Sequence, residues 1–301
     1  MPEAATLYAE YEALKERASE TLKKGHLPAA LEEFDLALGL ARRLGERDLE
    51  DVAFCNRSAV AIRLGLQEDS VPALRQMLLR TTDPHVAYLS AYNLCQACDE
   101  RKDFKKVLFY ARIARRYAVE LRHAEYEASA VNEIGNAFGA LNQFDAALDA
   151  YREADTLIGN DESERRAFVL ANQGYCLLLT HKVEDGFRSV IRGLRLARRI
   201  AAPLAASHAH LCLAFGYLLV ERPWYALRHG SEALELAEAH ADQATLKHAL
   251  LFVGEAYKQG GKVQAARECF ELLQRTYYPG MSQVPEMLLD VDICRVINLR
   301  G

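Results

Sequence analysis

Basic residues are in deficit: 37 Lys and Arg stand against 42 Asp and Glu, a formal net charge of -5, and the isoelectric point is near 6.0. Bulk charge therefore gives no support to nucleic-acid binding, which needs a basic face. Cysteine is sparse and odd in number, seven in 301 residues. That excludes a dense disulfide framework and fits a reduced, cytoplasmic setting. Long hydrophobic runs are missing too. The longest apolar stretch, His208 to Val220, is too short and interrupted to span a bilayer, so no membrane partner is expected. The first residues, MPEAATLYAEYEALKERA, carry early acidic groups and lack the apolar segment of a signal peptide. No nucleophile elbow, P-loop or dinucleotide fingerprint occurs. Catalytic residues, cofactors and enzymatic activity are accordingly not expected. The remaining composition, 50% hydrophobic and 26% charged, is that of an ordinary folded chain.

What is present is a repeat. A small residue stands at Ala18, Ser58, Cys95, Gly135, Gly174, Ala214 and Gly254, in steps of 40, 37, 40, 39, 40 and 40 residues. Twelve residues after each stands Ala30, Ser70, Val107, Ala147, Gly186, Ala226 or Ala266. A period in this range signals a stacked helical array. In the clearest unit, Asn132 to Leu157, Ile134, Phe138 and Leu141 recur at helical spacing. Asn142 marks a turn, and Ala147, Tyr151 and Ala154 follow on a second helix. Two helices approach closely only where a side chain is nearly absent, which gives the small residues their physical role.

These residues resemble the tetratricopeptide repeat, whose pattern places small residues at positions 8, 20 and 27. It places a large apolar residue at 11, a turn residue at 15 and a large residue at 24. Counted in that frame, Phe138, Leu177, Tyr217 and Tyr257 fall at 11, Gly65 and Gly261 at 15, and Phe34, Tyr151 and Phe270 at 24. The resemblance covers about residues 8 to 275. It implies an all-α, right-handed superhelical solenoid of about seven stacked antiparallel helix pairs. The units lie near 8–50, 51–87, 88–127, 128–166, 167–206, 207–246 and 247–281, and 282–301 form a C-terminal cap. The period near 40 is similar to the long-repeat branch of bacterial regulators and kinesin light chains. Arg57 at an apolar position and Ala111 at an aromatic one make units 2 and 3 degenerate. Pro28, Pro72, Pro203 and Pro223 stand near expected helix starts, and Asp83-Pro84 breaks between units. The tail from Pro285 reads as a final helix, though its Val and Ile content also suits a strand.

By the same resemblance the first helix of each pair lines a concave, partner-binding face. Its front half is polar, with Asn56, Asn93, Gln96, Asp99, Glu100, Asn132, Asn136 and Asn172. Amides carry both donors and acceptors and could hold an extended peptide by its backbone, or could tie adjacent repeats together. The back half is apolar, with Tyr175, Leu178, Leu179, Leu211, Phe215, Leu218 and Leu219. An apolar patch of this kind is rarely left open to water. A ligand, a second copy of the chain in a homodimer, or the tail residues Met287, Leu288, Val291, Val296 and Ile297 could cover it, unless the helices bury it between them. The arginine pairs of LARRLG (40–45), IARRYA (113–118) and LARRIA (196–201) end second helices, where cations complement the helix dipole. His208 and His248 share a register facing the groove, and His210 points elsewhere. Cys95 and Cys98 spell CxxC at two packing positions, with no second pair to complete a tetrahedral set, so no metal site is expected. The carboxylate clamp of co-chaperone members matches only two of five positions among Lys15, Ser19, Asn56, Leu89 and Asn93, and is not assigned. The chain is expected to be a non-catalytic scaffold or adaptor holding a protein or peptide in its groove. The alternative is a ligand-responsive sensor that acts through a separate effector, because the repeats leave no room for a helix-turn-helix.

Overall fold

All fourteen small residues of the repeat are buried, and they set how closely the helices cross. The structure, a computed structural model, describes residues 2–240 and 242–296. It consists of helical hairpins, and no strand occurs among the described residues. The hairpins are α1 (Pro2–Lys23) with α2 (Leu27–Leu44), α3 (Arg47–Arg63) with α4 (Ser70–Arg80), and α5 (Pro84–Glu100) with α6 (Phe104–Glu120). Then come α7 (Ala124–Ala140), α8 (Phe144–Ile158), α9 (Glu164–Leu179) with α10 (Val183–Arg199), α11 (Pro203–Leu219) with α12 (Pro223–Ala239), and α13 (Gln243–Gln259) with α14 (Val263–Tyr277). Two short helices, α15 (Val284–Asp290) and α16 (Ile293–Val296), follow where the sequence suggested one helix or a strand.

The chain divides into two packed units, Met1–Ala137 and Phe138–Gly301. Within each, the first helix of a hairpin touches the first helix of the next: α3 meets α5 in the first unit, and α9 meets α11 and α11 meets α13 in the second. This layering is that of a solenoid of stacked antiparallel helix pairs. In the second unit the α9–α10 crossing closes to backbone contact. A Cβ on Gly174 would lie 2.7 Å from the carbonyl oxygen of Gly186. In the first unit the same register holds Cys95, whose thiol donates to the Val107 carbonyl at 3.6 Å. Degeneracy of the second hairpin has a visible consequence, since α4 has 11 residues where α3 has 17. Arg57, at a position usually apolar, is accommodated by an ion pair with Asp35 at 2.9 Å.

Every hairpin turns in the same way. The first helix ends in a paired hydrogen-bond motif in which the turn residue and its successor donate back to carbonyls three and five residues earlier, as in Asn142 to Gly139 and Gln143 to Phe138. The turn residue then takes positive φ: Gly25, Gly65, Lys102, Asn142, His181, Glu221 and Gly261. A side chain costs roughly 1–2 kcal/mol in that conformation, so four of the seven turns carry a cost that glycine would avoid. Pro28, Pro84, Pro203 and Pro223 occupy first-turn positions of their helices, where the missing amide hydrogen is not needed.

Candidate functional site

The polar candidates are committed largely to structure. Asn93, 5% exposed, donates its amide to the Cys55 carbonyl at 2.7 Å and so ties α5 to α3. Asn172, 3% exposed, accepts at 2.7 Å from His208 Nε2, tying α9 to α11 and fixing the histidine's tautomer. Asn136 donates to Glu133 at 3.0 Å within α7. Asn132, Asn56 and Gln96 are half-buried. His248 turns back to the Ala244 carbonyl on its own helix. Cys95 and Cys98 are buried packing residues, and burial pushes both thiols above their usual range.

The apolar candidates are packed inside the second unit. Tyr175, Leu178, Leu211, Phe215 and Leu218 are at most 3% exposed. The Phe215 ring lies 5.0 Å from Tyr175 and 5.7 Å from Phe252. The long helices bury these residues between neighbours, and of the five Leu178, Phe215 and Leu218 line a cavity. Leu179 and Leu219, the last residues of α9 and α11, stay half-buried. This cavity, of about 810 Å³, is lined by Leu178, Leu179, Phe215, Leu218 and Leu219, with Phe144 and Val183 from the starts of second helices. Its rim carries Asn142, His181 and Glu221, the positive-φ residues of three successive hairpin turns, together with Gln259. The cavity thus lies at the turn edge of the stack rather than midway along the first helices. The turn register alone could have revealed it, since the same 40- and 39-residue steps that mark the small residues also mark these rim positions.

The tail closes one side. Asp292 and Cys294 also line the cavity. Ile293, 1% exposed, joins the apolar cluster that contains Phe215 and Leu218, as do Val284 and Leu288. Of the tail residues expected to be apolar cover, Leu288 is buried whereas Met287 and Val291 are exposed. The Val296 side chain and Ile297 lie outside the described residues.

The arginine echoes have specific partners. Arg42 donates to Glu50 at 3.0 Å, Arg115 to Glu127 at 3.4 Å and Arg198 to His210 Nε2 at 3.0 Å. Each joins the end of a second helix to the next first helix, a role beyond dipole compensation. Because arginine only donates, His210 accepts at Nε2. Its proton therefore resides on Nδ1 and is donated to His229 Nδ1 at 2.8 Å. Burial, then the facing charges, pushes His210 down to about 3 and His229 down to about 4.

A family model for the tetratricopeptide repeat matches residues 128–161. No curated protein matches the sequence. Among solved structures, a Rap protein complexed with competence and sporulation factor is similar at TM-score 0.69 and 12% identity, over 97% of this chain and 79% of that one. A signal-transduction ATPase from Pyrococcus horikoshii with a tetratricopeptide repeat sensor is similar at 0.67 and 15% identity. There the match covers 93% of this chain and 43% of that one. A tetratricopeptide repeat protein from Parabacteroides merdae gives 0.57 and 15% identity over 93% and 98%. With the stacked hairpins described above, these likenesses show a tetratricopeptide-repeat fold, and the unit at 128–161 matches the repeat itself. No helix among the described residues is long and apolar enough to cross a membrane.

Proposed function

We propose that this protein is a non-catalytic adaptor that holds a peptide or partner segment in the cavity of its second unit. The observation that carries the reading is the rim. His181 and Glu221 keep polar side chains at positive φ, where glycine would be more stable, and with Asn142 they border one apolar-floored cavity. Strain of this kind tends to be retained where a side chain is needed. Apolar depth ringed by a few polar groups suits an aliphatic or aromatic side chain anchored by backbone contacts. The similar Rap structure, a complex with competence and sporulation factor, supports this reading. The buried asparagines Asn93 and Asn172 act as ties between repeats, and backbone contact falls to the rim.

A second reading, a ligand-responsive sensor working through a separate effector, is favoured by the tail forming part of the cavity wall. The test is capture of a partner from the native host by the full-length chain and by Leu219→Asp. Leu219 is chosen because it is half-buried, whereas a charge at the fully buried Phe215 would unfold the unit. The proposal expects a partner held by the wild type and lost, by tenfold or more in affinity, in a Leu219→Asp chain of unchanged helicity. Equal retention by both would overturn it.

A further inference from the structure

The tail does more than close the array. An end cap needs to cover the last hairpin, and α15 packs on α14. Val284 and Leu288 are buried, and Arg267 on α14 holds Glu286 at 3.2 Å through its second amino group. The chain then leaves the helix at Val291, in extended conformation, and continues beyond what capping requires. Asp292 accepts from the Cys294 amide at 3.1 Å and starts α16. That turn reaches back to α11, buries Ile293 in the cluster of Phe215 and Leu218, and places Asp292 and Cys294 in the cavity wall.

Lys258 secures the path. Its ammonium donates to the Leu288 carbonyl at 2.9 Å and the Val291 carbonyl at 2.6 Å, and pairs with Glu255 at 2.6 Å. An ammonium has three hydrogens, and this one has three partners. The two carbonyls belong to the last turn of α15 and its exit, groups that a helix leaves without internal partners.

Resting on the cavity reading above, we propose that residues 290–294 are a resident pseudo-ligand of the second-unit site. An external ligand is a short peptide of the same chemistry: an acidic capping residue followed directly by an aliphatic one, its preceding carbonyls held by Lys258. Such a peptide binds by displacing α16, so the tail sets a threshold for occupancy. Tethering makes the cis segment a competitor at high effective concentration, of order millimolar for a short link. Free wild-type chain therefore takes the peptide weakly.

The probe is a fluorescent synthetic peptide of residues 284–296, followed by anisotropy on full-length chains. Ile293→Asp should undock the tail and bind this peptide at least tenfold more tightly than the wild type. Asp292→Ala, a milder lesion on the tail that removes the acceptor of the Cys294 amide and leaves the receiving helices intact, should shift binding in the same direction. A peptide carrying Asp in place of Ile293 should lose the binding. If neither variant gains affinity while both keep wild-type helicity, the tail is only a cap and the proposal is overturned. Its failure is distinguishable from that of the cavity reading. Leu219-dependent capture that is equal in wild-type and Asp292→Ala chains removes the pseudo-ligand and leaves the cavity. Capture unaffected by Leu219→Asp removes the cavity function itself.

Discussion

The two units solve the same packing problem with different materials. In the second, buried apolar residues from α9 to α16 form one continuous cluster running from Ala167 to Ile293. In the first, buried apolar residues fall into separate smaller clusters, one around Leu74 and Leu94, one around Tyr11 and Leu38, one around Tyr88 and Ala114. Polar ties join helices in both units: Arg57 to Asp35, Arg80 to Asp51 at 2.6 Å and Asn93 to the Cys55 carbonyl in the first, and Asn172 to His208 and Arg198 to His210 in the second. The comparison teaches that a small-residue repeat fixes helix spacing but not core continuity. Where glycine replaces a larger residue at the crossing, the helices close and the large neighbours of successive hairpins meet. At the same register in α5, the Cys95 thiol fills the space and donates to the Val107 carbonyl. In a stacked array, stability follows the strength of neighbour interfaces, so the second unit should be the more cooperative.

The largest test of that difference is cavity creation. Phe215→Ala, in the continuous cluster, should cost about 3–5 kcal/mol. Leu74→Ala, equally buried but in a smaller cluster with exposed neighbours, should fall at the low end of the 2–5 kcal/mol typical of its class. Chemical denaturation checks both, and equal losses would dissolve the contrast. Next comes the crossing itself. Gly174→Ala forces a methyl against the Gly186 carbonyl and should cost about 1–3 kcal/mol. Cys95→Ala at the same register removes only a sulfur and a weak hydrogen bond, for less than about 1.5 kcal/mol. Thermal melts of the pair give the comparison directly.

A third test uses pH. His210 and His229 are held neutral by burial, with Arg198 and Arg228 adding to the effect and Glu232 opposing it at His229. An ordinary histidine takes its proton near pH 6.5. The unfolded chain therefore binds protons that the fold refuses, and stability falls as pH drops from about 6.5 toward the folded values near 4 and 3. The slope from the fully buried His210 is at most about 1.4 kcal/mol per pH unit. Denaturant midpoints between pH 7 and 5 should decline, and His210→Gln with His229→Gln should flatten the decline. An unchanged slope in the double variant would place the titration elsewhere.

The smallest effects separate fold from function. Lys102→Gly, His181→Gly and Glu221→Gly each relieve positive-φ strain and should raise stability by about 1 kcal/mol, seen as a few degrees in the melting midpoint. Only the last two border the cavity, so only they should weaken partner capture. A loss of capture by Lys102→Gly would contradict the assignment of the site to the second unit.

The stacked array could be read from the chain because the small residues recur at fixed steps and their absence of bulk has one geometric meaning. The same steps run through the turn residues, yet only Gly25, Gly65, Asn142 and Gly261 announce a turn by type. His181 and Glu221 are unusual residues for that conformation, and this hid the cavity rim. The apolar set from Tyr175 to Leu219 was identifiable as a cluster. Whether it faced water or neighbours depended on the closeness of the α9–α10 crossing, which one sequence does not disclose. Asn93 and Asn172 could equally have been ligand contacts, because an amide's chemistry is the same in both roles. The tail's course turned on Lys258, which looks in the sequence like any helix-ending lysine.

The cysteines allow the contrast between the units to be measured in the native chain. Cys55 in the first unit and Cys212 in the second are both fully buried. Pulse alkylation in rising denaturant, with each thiol resolved by mass spectrometry, reports when each core opens. If the second unit is the continuous, cooperative one, Cys55 reacts at lower denaturant than Cys212, and Cys176 and Cys212 react together. Simultaneous labelling of Cys55 and Cys212, or Cys212 reacting first, would contradict it.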